Sequence, residues 1–171
     1  MVEVRLRAVR VDLQSNTPVL LLQEADGLGR TLPIFIGAPE ATAIAFALQG
    51  VETPRPMTHD LIRDMLEALG ASVQRVVVTE LRDATFFAEL VVSADGNEVA
   101  VSARPSDAVA VAVRTGASIF VDDGLMEAEG IILPPDEDEE EDGDVDDVNP
   151  DELVGEFRDF LETIRPEDFS P

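Results

Sequence analysis

Residues 32–50 read LPIFIGAPEATAIAFALQG: a short strand, a glycine turn, a helix opened by proline and a glycine where it ends. Leu32 to Ile36 reads as a strand. Pro39 lacks an N–H, which the first turn of a helix would leave unsatisfied anyway, so it suits the start of a helix over 39–49, and Gly50 suits its end. The same punctuation returns in EVAVSARPSDAVAVAVRTG, residues 98–116, where Pro105 stands for Pro39 and Gly116 for Gly50. Two copies of one strand-turn-helix phrase imply a repeated unit.

Outward from the first copy, 2–13 (VEVRLRAVRVDL) alternates apolar Val2, Val4 and Leu6 with Glu3, Arg5 and Arg7, a strand with one wet face. Residues 19–23 form another strand, with a glycine-containing turn at 26–29 leading to 32–36. Beyond Gly50, 60–69 is an amphipathic helix with Leu61, Ile62, Met65, Leu66 and Leu69 on one face and Arg63, Asp64 and Glu67 on the other. Outward from the second copy, 72–81, 85–92 and 98–103 are strands, with ADGN at 94–97 as a hairpin turn, and 125–129 is a shortened second helix. The predicted fold class is α+β: a largely antiparallel sheet packed with helices, built by duplication of a three-strand, two-helix unit. Helices 39–49 and 105–114 are apolar on several faces, which predicts a homo-oligomer.

Composition narrows the chemistry. There is no cysteine and a single histidine, His59, so thiolate zinc sites, cysteine nucleophiles and histidine clusters are excluded. All 12 basic residues are arginine against 36 acidic ones, a net charge of −24. That balance opposes polyanion binding, which depends on Lys and Arg releasing phosphate counterions. The N-terminus alternates charged with apolar residues and no stretch is long and apolar enough for a bilayer, so a cytoplasmic protein without membrane contact is expected. The acidic charge rises sharply after Pro135. The expected division is a domain over 1–135, an acidic disordered linker over 136–148, and a C-terminal amphipathic helix and tail over 149–171. Leu153, Val154, Phe157, Phe160, Leu161 and Ile164 form one stripe on that helix, which predicts docking on its own or a neighbouring subunit.

Four segments carry a family likeness: LPIFIGAPEA at 32–41, RPMTHDLI at 55–62, LRDATFFAEL at 81–90 and ARPSDAVAVAVR at 103–114. In this order, over roughly residues 1–130, they resemble the bifunctional nuclease family, a bacterial and plant domain named for members credited with cutting DNA and RNA. The resemblance implies a nuclease, with nucleic acid as substrate. The opposing expectation is a non-enzymatic regulatory or protein-binding module with an acidic tail.

The residues admit phosphodiester hydrolysis. Glu40, Asp60 and Asp107 suit a hard divalent cation such as Mg²⁺, His59 suits a general base, and Arg104 or Arg55 suits a phosphate clamp, with Thr58 and Ser106 beside them. Each also has a structural reading. Thr58 suits an N-cap, and Glu40, Asp60, Ser106 and Asp107 lie in first turns, where acceptors and negative charge complement the helix dipole. Arg114, in a last turn, has the matching dipole explanation. Arg104 has none so simple and is the first choice for a functional arginine. Of Phe86 and Phe87, alternation turns one inwards and one outwards, to pack or to stack a base.

Overall fold

The computed structural model describes residues 1–133; the expected linker at 136–148 and helix at 149–171 lie outside the described residues. In chain order the elements are β1 (Val2–Asp12), β2 (Thr17–Glu24), β3 (Thr31–Phe35), α1 (Ala38–Leu48), α2 (Thr58–Ala68), β4 (Ser72–Arg82), β5 (Thr85–Ala94), β6 (Asn97–Ala103), α3 (Pro105–Thr115), β7 (Ser118–Val121) and α4 (Asp123–Glu129). The fold is α+β, with a seven-stranded sheet in the order β3-β2-β1-β7-β4-β5-β6.

Two antiparallel meanders, β1–β2–β3 and β4–β5–β6, flank β7, which runs antiparallel to β1 and parallel to β4. The meanders repeat the unit expected from the two strand-turn-helix phrases. β7 is the element the sequence reading omits: with four residues, its alternation is too short to stand out from a loop. It nevertheless bridges the two halves, pairing Ile119 with Val4 on one side and Val76 on the other. Two-residue loops close the β4–β5 hairpin at Asp83–Ala84 and the β5–β6 hairpin at Asp95–Gly96. All four residues have positive φ, matching the strand twist.

Alternate residues of the strands, among them Leu20, Leu22, Ile34, Val76, Val78 and Val121, point into one core with Ile44, Val109, Val111 and Met126. α3 is its centre: Ala108 to Ala112 are at most 1% exposed, because the helix packs on β4 and β5 and is flanked by α1 and α2. The apolarity of 108–112 is therefore consumed within the chain.

α2 differs from α3 in what it leaves uncovered. Most of its apolar stripe lies at the surface: Leu61, Met65 and Leu69 are 51%, 55% and 77% exposed, and Ile62 lies beside them. Leu66 packs against the core and His59 is the buried residue of the helix. Amphipathicity identifies a face, but the core under α2 is already filled by α3. No described helix is long and apolar enough to cross a membrane.

Candidate functional site

The first turns of α1, α2 and α3 meet. Pro105 at the start of α3 disfavours helical backbone in the preceding residue, and Arg104 is accordingly extended at φ −71°, ψ 144°. Arg104 Nε donates to Asp107 Oδ2 at 2.7 Å, and Nη2 donates to Glu40 Oε1 at 2.5 Å. The other Asp107 oxygen, Oδ1, lies 2.9 Å from His59 Nε2. Glu40, Arg104, Asp107 and His59 thus form one chain of charge-assisted hydrogen bonds drawn from three helices. Gly37 makes room for it, since a β-carbon there would fall on the Glu40 carboxylate.

Asp60 belongs to a second cluster. Its Oδ1 accepts from Arg114 Nε at 2.6 Å, and its Oδ2 accepts from the Met57 N–H at 3.0 Å. Arg114 also donates to the carbonyls of Ala43 and Ala110, both at 2.8 Å, so one buried guanidinium ties α1, α2 and α3 together. The dipole explanation for Arg114 is therefore secondary to this tie. Thr58 is not the N-cap: Met57 holds that position and Thr58 is the first helical residue, exposed. Arg55 is exposed in the preceding loop, without an ion pair to any described residue. Ser106 is buried, and the cap position before it is Arg104, which makes no side-chain cap bond.

The electrostatics follow from these contacts. Burial alone would raise the Asp107 pKa, but the hydrogen bonds from Arg104 and His59 outweigh it and hold the carboxyl below its ordinary value. Asp60 is likewise lowered, with burial opposed by Arg114 and by the Met57 N–H. Arg104 is raised by Asp107 first and Glu40 second, which keeps it charged.

Among the described residues no three carboxylate or histidine side chains are grouped to hold a metal ion. Each carboxylate expected to bind Mg²⁺ has one oxygen on a guanidinium: Glu40 and Asp107 on Arg104, and Asp60 on Arg114. A cation at this cluster would have to displace Arg104, so the arrangement does not fit one.

A cleft of about 400 Å³ opens beside Arg104. Its walls include Phe35 and Ile36 from the end of β3, Phe86 from the start of β5, and Arg104, Pro105 and Ser106. Phe35 was not singled out from sequence, although the signal is there: Ile34 and Ile36 point into the core, so alternation turns Phe35 outwards, and it is 63% exposed. Phe86 packs against the core, while Phe87, on the other parity, lies under the Arg82 guanidinium at 4.5 Å. A further cleft of about 450 Å³, lined by Arg75, Val77, Glu89 and Glu98 among others, contains none of the candidate residues.

Comparison with known proteins agrees with the motif likeness. The family model described as the bifunctional nuclease domain matches residues 20–134. An uncharacterized protein of Mycobacterium tuberculosis is 47% identical over 167 residues, spanning 98% of this chain and 97% of the relative. Bifunctional nuclease 1 of Arabidopsis thaliana is 32% identical over 117 residues, 67% of this chain and 36% of the plant protein. Bifunctional nuclease 2 of the same plant is 32% identical over 115 residues, covering 66% of this chain and 35% of its own length.

Proposed function

The chain belongs to the bifunctional nuclease domain family, and on that premise we propose that it is a nuclease, hydrolysing phosphodiester bonds of DNA and RNA beside Arg104. The observation that carries this reading is the hydrogen-bonded chain Glu40–Arg104–Asp107–His59, whose Arg104 lies in the wall of a cleft. Arg104 is two-thirds exposed and uses only Nε and Nη2 on the two carboxylates, so Nη1 remains to meet a phosphate oxygen. Glu40 and Asp107 hold the guanidinium between them, which pre-organises it for an anion. The Asp107–His59 pair, bonded to that guanidinium, takes the proton that an attacking water loses as the new P–O bond forms. The pair returns it to the leaving oxygen as the old bond breaks. Asp107 also fixes the tautomer: with Nε2–H donated to the carboxylate, Nδ1 is the accepting nitrogen of neutral His59.

The test is an assay of highly purified protein on labelled single- and double-stranded DNA and RNA, with Mg²⁺, Mn²⁺ or EDTA, beside Arg104→Ala and Asp107→Asn. Each variant is expected to lose about 100-fold or more in rate, the usual scale for an electrostatic donor or an acid–base group. Cleavage that persists at the same rate in both variants belongs to a contaminant and would remove the reading.

One observation favours a second reading, a non-enzymatic protein-binding module that assembles as a homo-oligomer. Leu61, Met65 and Leu69 form an exposed apolar stripe on α2, a patch that soluble monomers tend to avoid. Inactive wild-type protein that light scattering finds as a multiple of the chain mass would favour this reading over the first.

A further inference from the structure

We propose that the cleft beside Arg104 captures one unpaired base, so that the protein selects single-stranded over duplex nucleic acid. The proposal rests on the nuclease reading for its phosphate clamp and adds the substrate class. Its starting point is Phe35, 63% exposed on a strand whose neighbouring residues are committed to the core. The wet side of an edge strand ordinarily takes a polar residue, and nothing in the fold requires an aromatic ring there.

The surroundings of that ring are specific. Ile34, Ile36 and Pro105 give the cleft apolar walls, and Phe86 supplies a second ring from β5. Phe86 is placed by the tight β4–β5 loop, whose residues Asp83 and Ala84 have φ of 49° and 58° and deliver Thr85 and Phe86 to the cleft. The exposed guanidinium of Arg104 lies in the same wall. Aromatic rings beside a single cation match a nucleotide unit, with the base against the rings and its phosphate at the arginine. At about 400 Å³ the cleft is at the low end of small-ligand sites. A duplex would have to unstack and unpair a base to fill it, whereas a single strand presents one freely.

The experiment measures fluorescence anisotropy of the full-length chain with three probes that carry phosphorothioate linkages to prevent cleavage. They are a short oligothymidylate, an abasic oligomer of equal length and charge, and a DNA hairpin. Wild type should bind oligothymidylate about 10-fold more tightly than either other probe, the scale of one base–aromatic contact. Phe35→Ala should collapse that gap, and Phe35→Tyr, which keeps the ring, should preserve it. A thermal melt checks folding, and because Phe35 is exposed the midpoint should barely move. Arg104→Ala should weaken all three probes alike. If Phe35→Ala binds as wild type does, or wild type fails to distinguish thymidylate from the abasic oligomer, base capture is overturned while the phosphate clamp stands. Loss of discrimination in Phe35→Ala with no effect of Arg104→Ala supports base capture and removes the clamp. Absence of binding to all three probes overturns both.

Discussion

Helix α3 carries an arginine at each end, and the two sit in opposite surroundings. The Arg114 side chain is 4% exposed, whereas that of Arg104 is 66% exposed. Each holds a first-turn carboxylate of a neighbouring helix, Asp60 of α2 for Arg114 and Glu40 of α1 for Arg104, so partner type does not separate them; burial does. A buried guanidinium has given up its hydration and must be repaid by every contact it makes, which makes Arg114 part of the fold. Arg104 keeps water on much of its surface and gains little stability from its pairs, so its cluster is free to serve a ligand.

The sharpest test of that contrast is Arg114→Ala. It leaves the Asp60 carboxylate, 20% exposed, without its partner and frees the Ala43 and Ala110 carbonyls. Unfolding in urea should show a loss of about 3 to 5 kcal/mol, the cost of breaking a buried pair. Arg114→Lys should recover only part, because an ammonium cannot reproduce the planar fork that reaches three helices. Arg104→Ala, by contrast, should cost less than about 2 kcal/mol, since exposed pairs contribute about 0 to 1 kcal/mol each. Equal losses in the two alanine variants would break the comparison.

This difference also marks how far the sequence was legible. Pro39, Gly50, Pro105 and Gly116 announce α1 and α3 because those residues restrict the backbone locally, whatever the tertiary context. Alternation announces β1, and short runs bounded by turn residues announce the other five longer strands. The pairing of His59 with Asp107, 48 residues apart, and of Arg114 with Asp60, 54 apart, is a product of helix packing that no local signal encodes. A dipole argument could therefore account for Arg114 without revealing that it is buried. The same limit concealed β7, too short to show a period, and the exposed side of α2, whose pattern does not say which face α3 leaves uncovered. Glu40, Arg104, Asp107 and His59 were all named from sequence; their contact, and the membership of Phe35, needed the fold.

Acid should act on both clusters in one direction. Asp60 and Asp107 are both lowered in the folded state, so the folded chain holds those protons less tightly than the unfolded one. A depressed carboxyl contributes stability that is present above its unfolded value, about 3.9, and is lost as pH falls through the lower folded value. The melting temperature should therefore vary little between about pH 7 and 5 and decline below about pH 4. Asp107→Asn should reduce the decline, as it removes one of the linked protons. A variant with the same acid slope as wild type would show that Asp107 is not among the groups responsible.

The smallest expected effect concerns Glu40, which sharpens the question of what the exposed arginine is held for. Glu40 Oε1 accepts from Arg104 Nη2, and its carboxylate also repels any phosphate approaching that guanidinium. Glu40→Gln preserves a side-chain oxygen to accept the bond while deleting the charge, so Arg104 should keep its place. The pair is partly in water, so the fold should change by less than about 1 kcal/mol. Removing the carboxylate charge should tighten oligonucleotide binding by a few-fold at low salt. The gain should shrink as ionic strength rises, because the repulsion it removes is screened over about 8 to 10 Å near physiological salt. Titrations at several salt concentrations separate this from a conformational effect, which would be largely salt-independent. Weaker binding in Glu40→Gln would mean that the carboxylate's hold on Arg104 matters more than its repulsion of phosphate, making Glu40 a positioning residue whose charge the site needs.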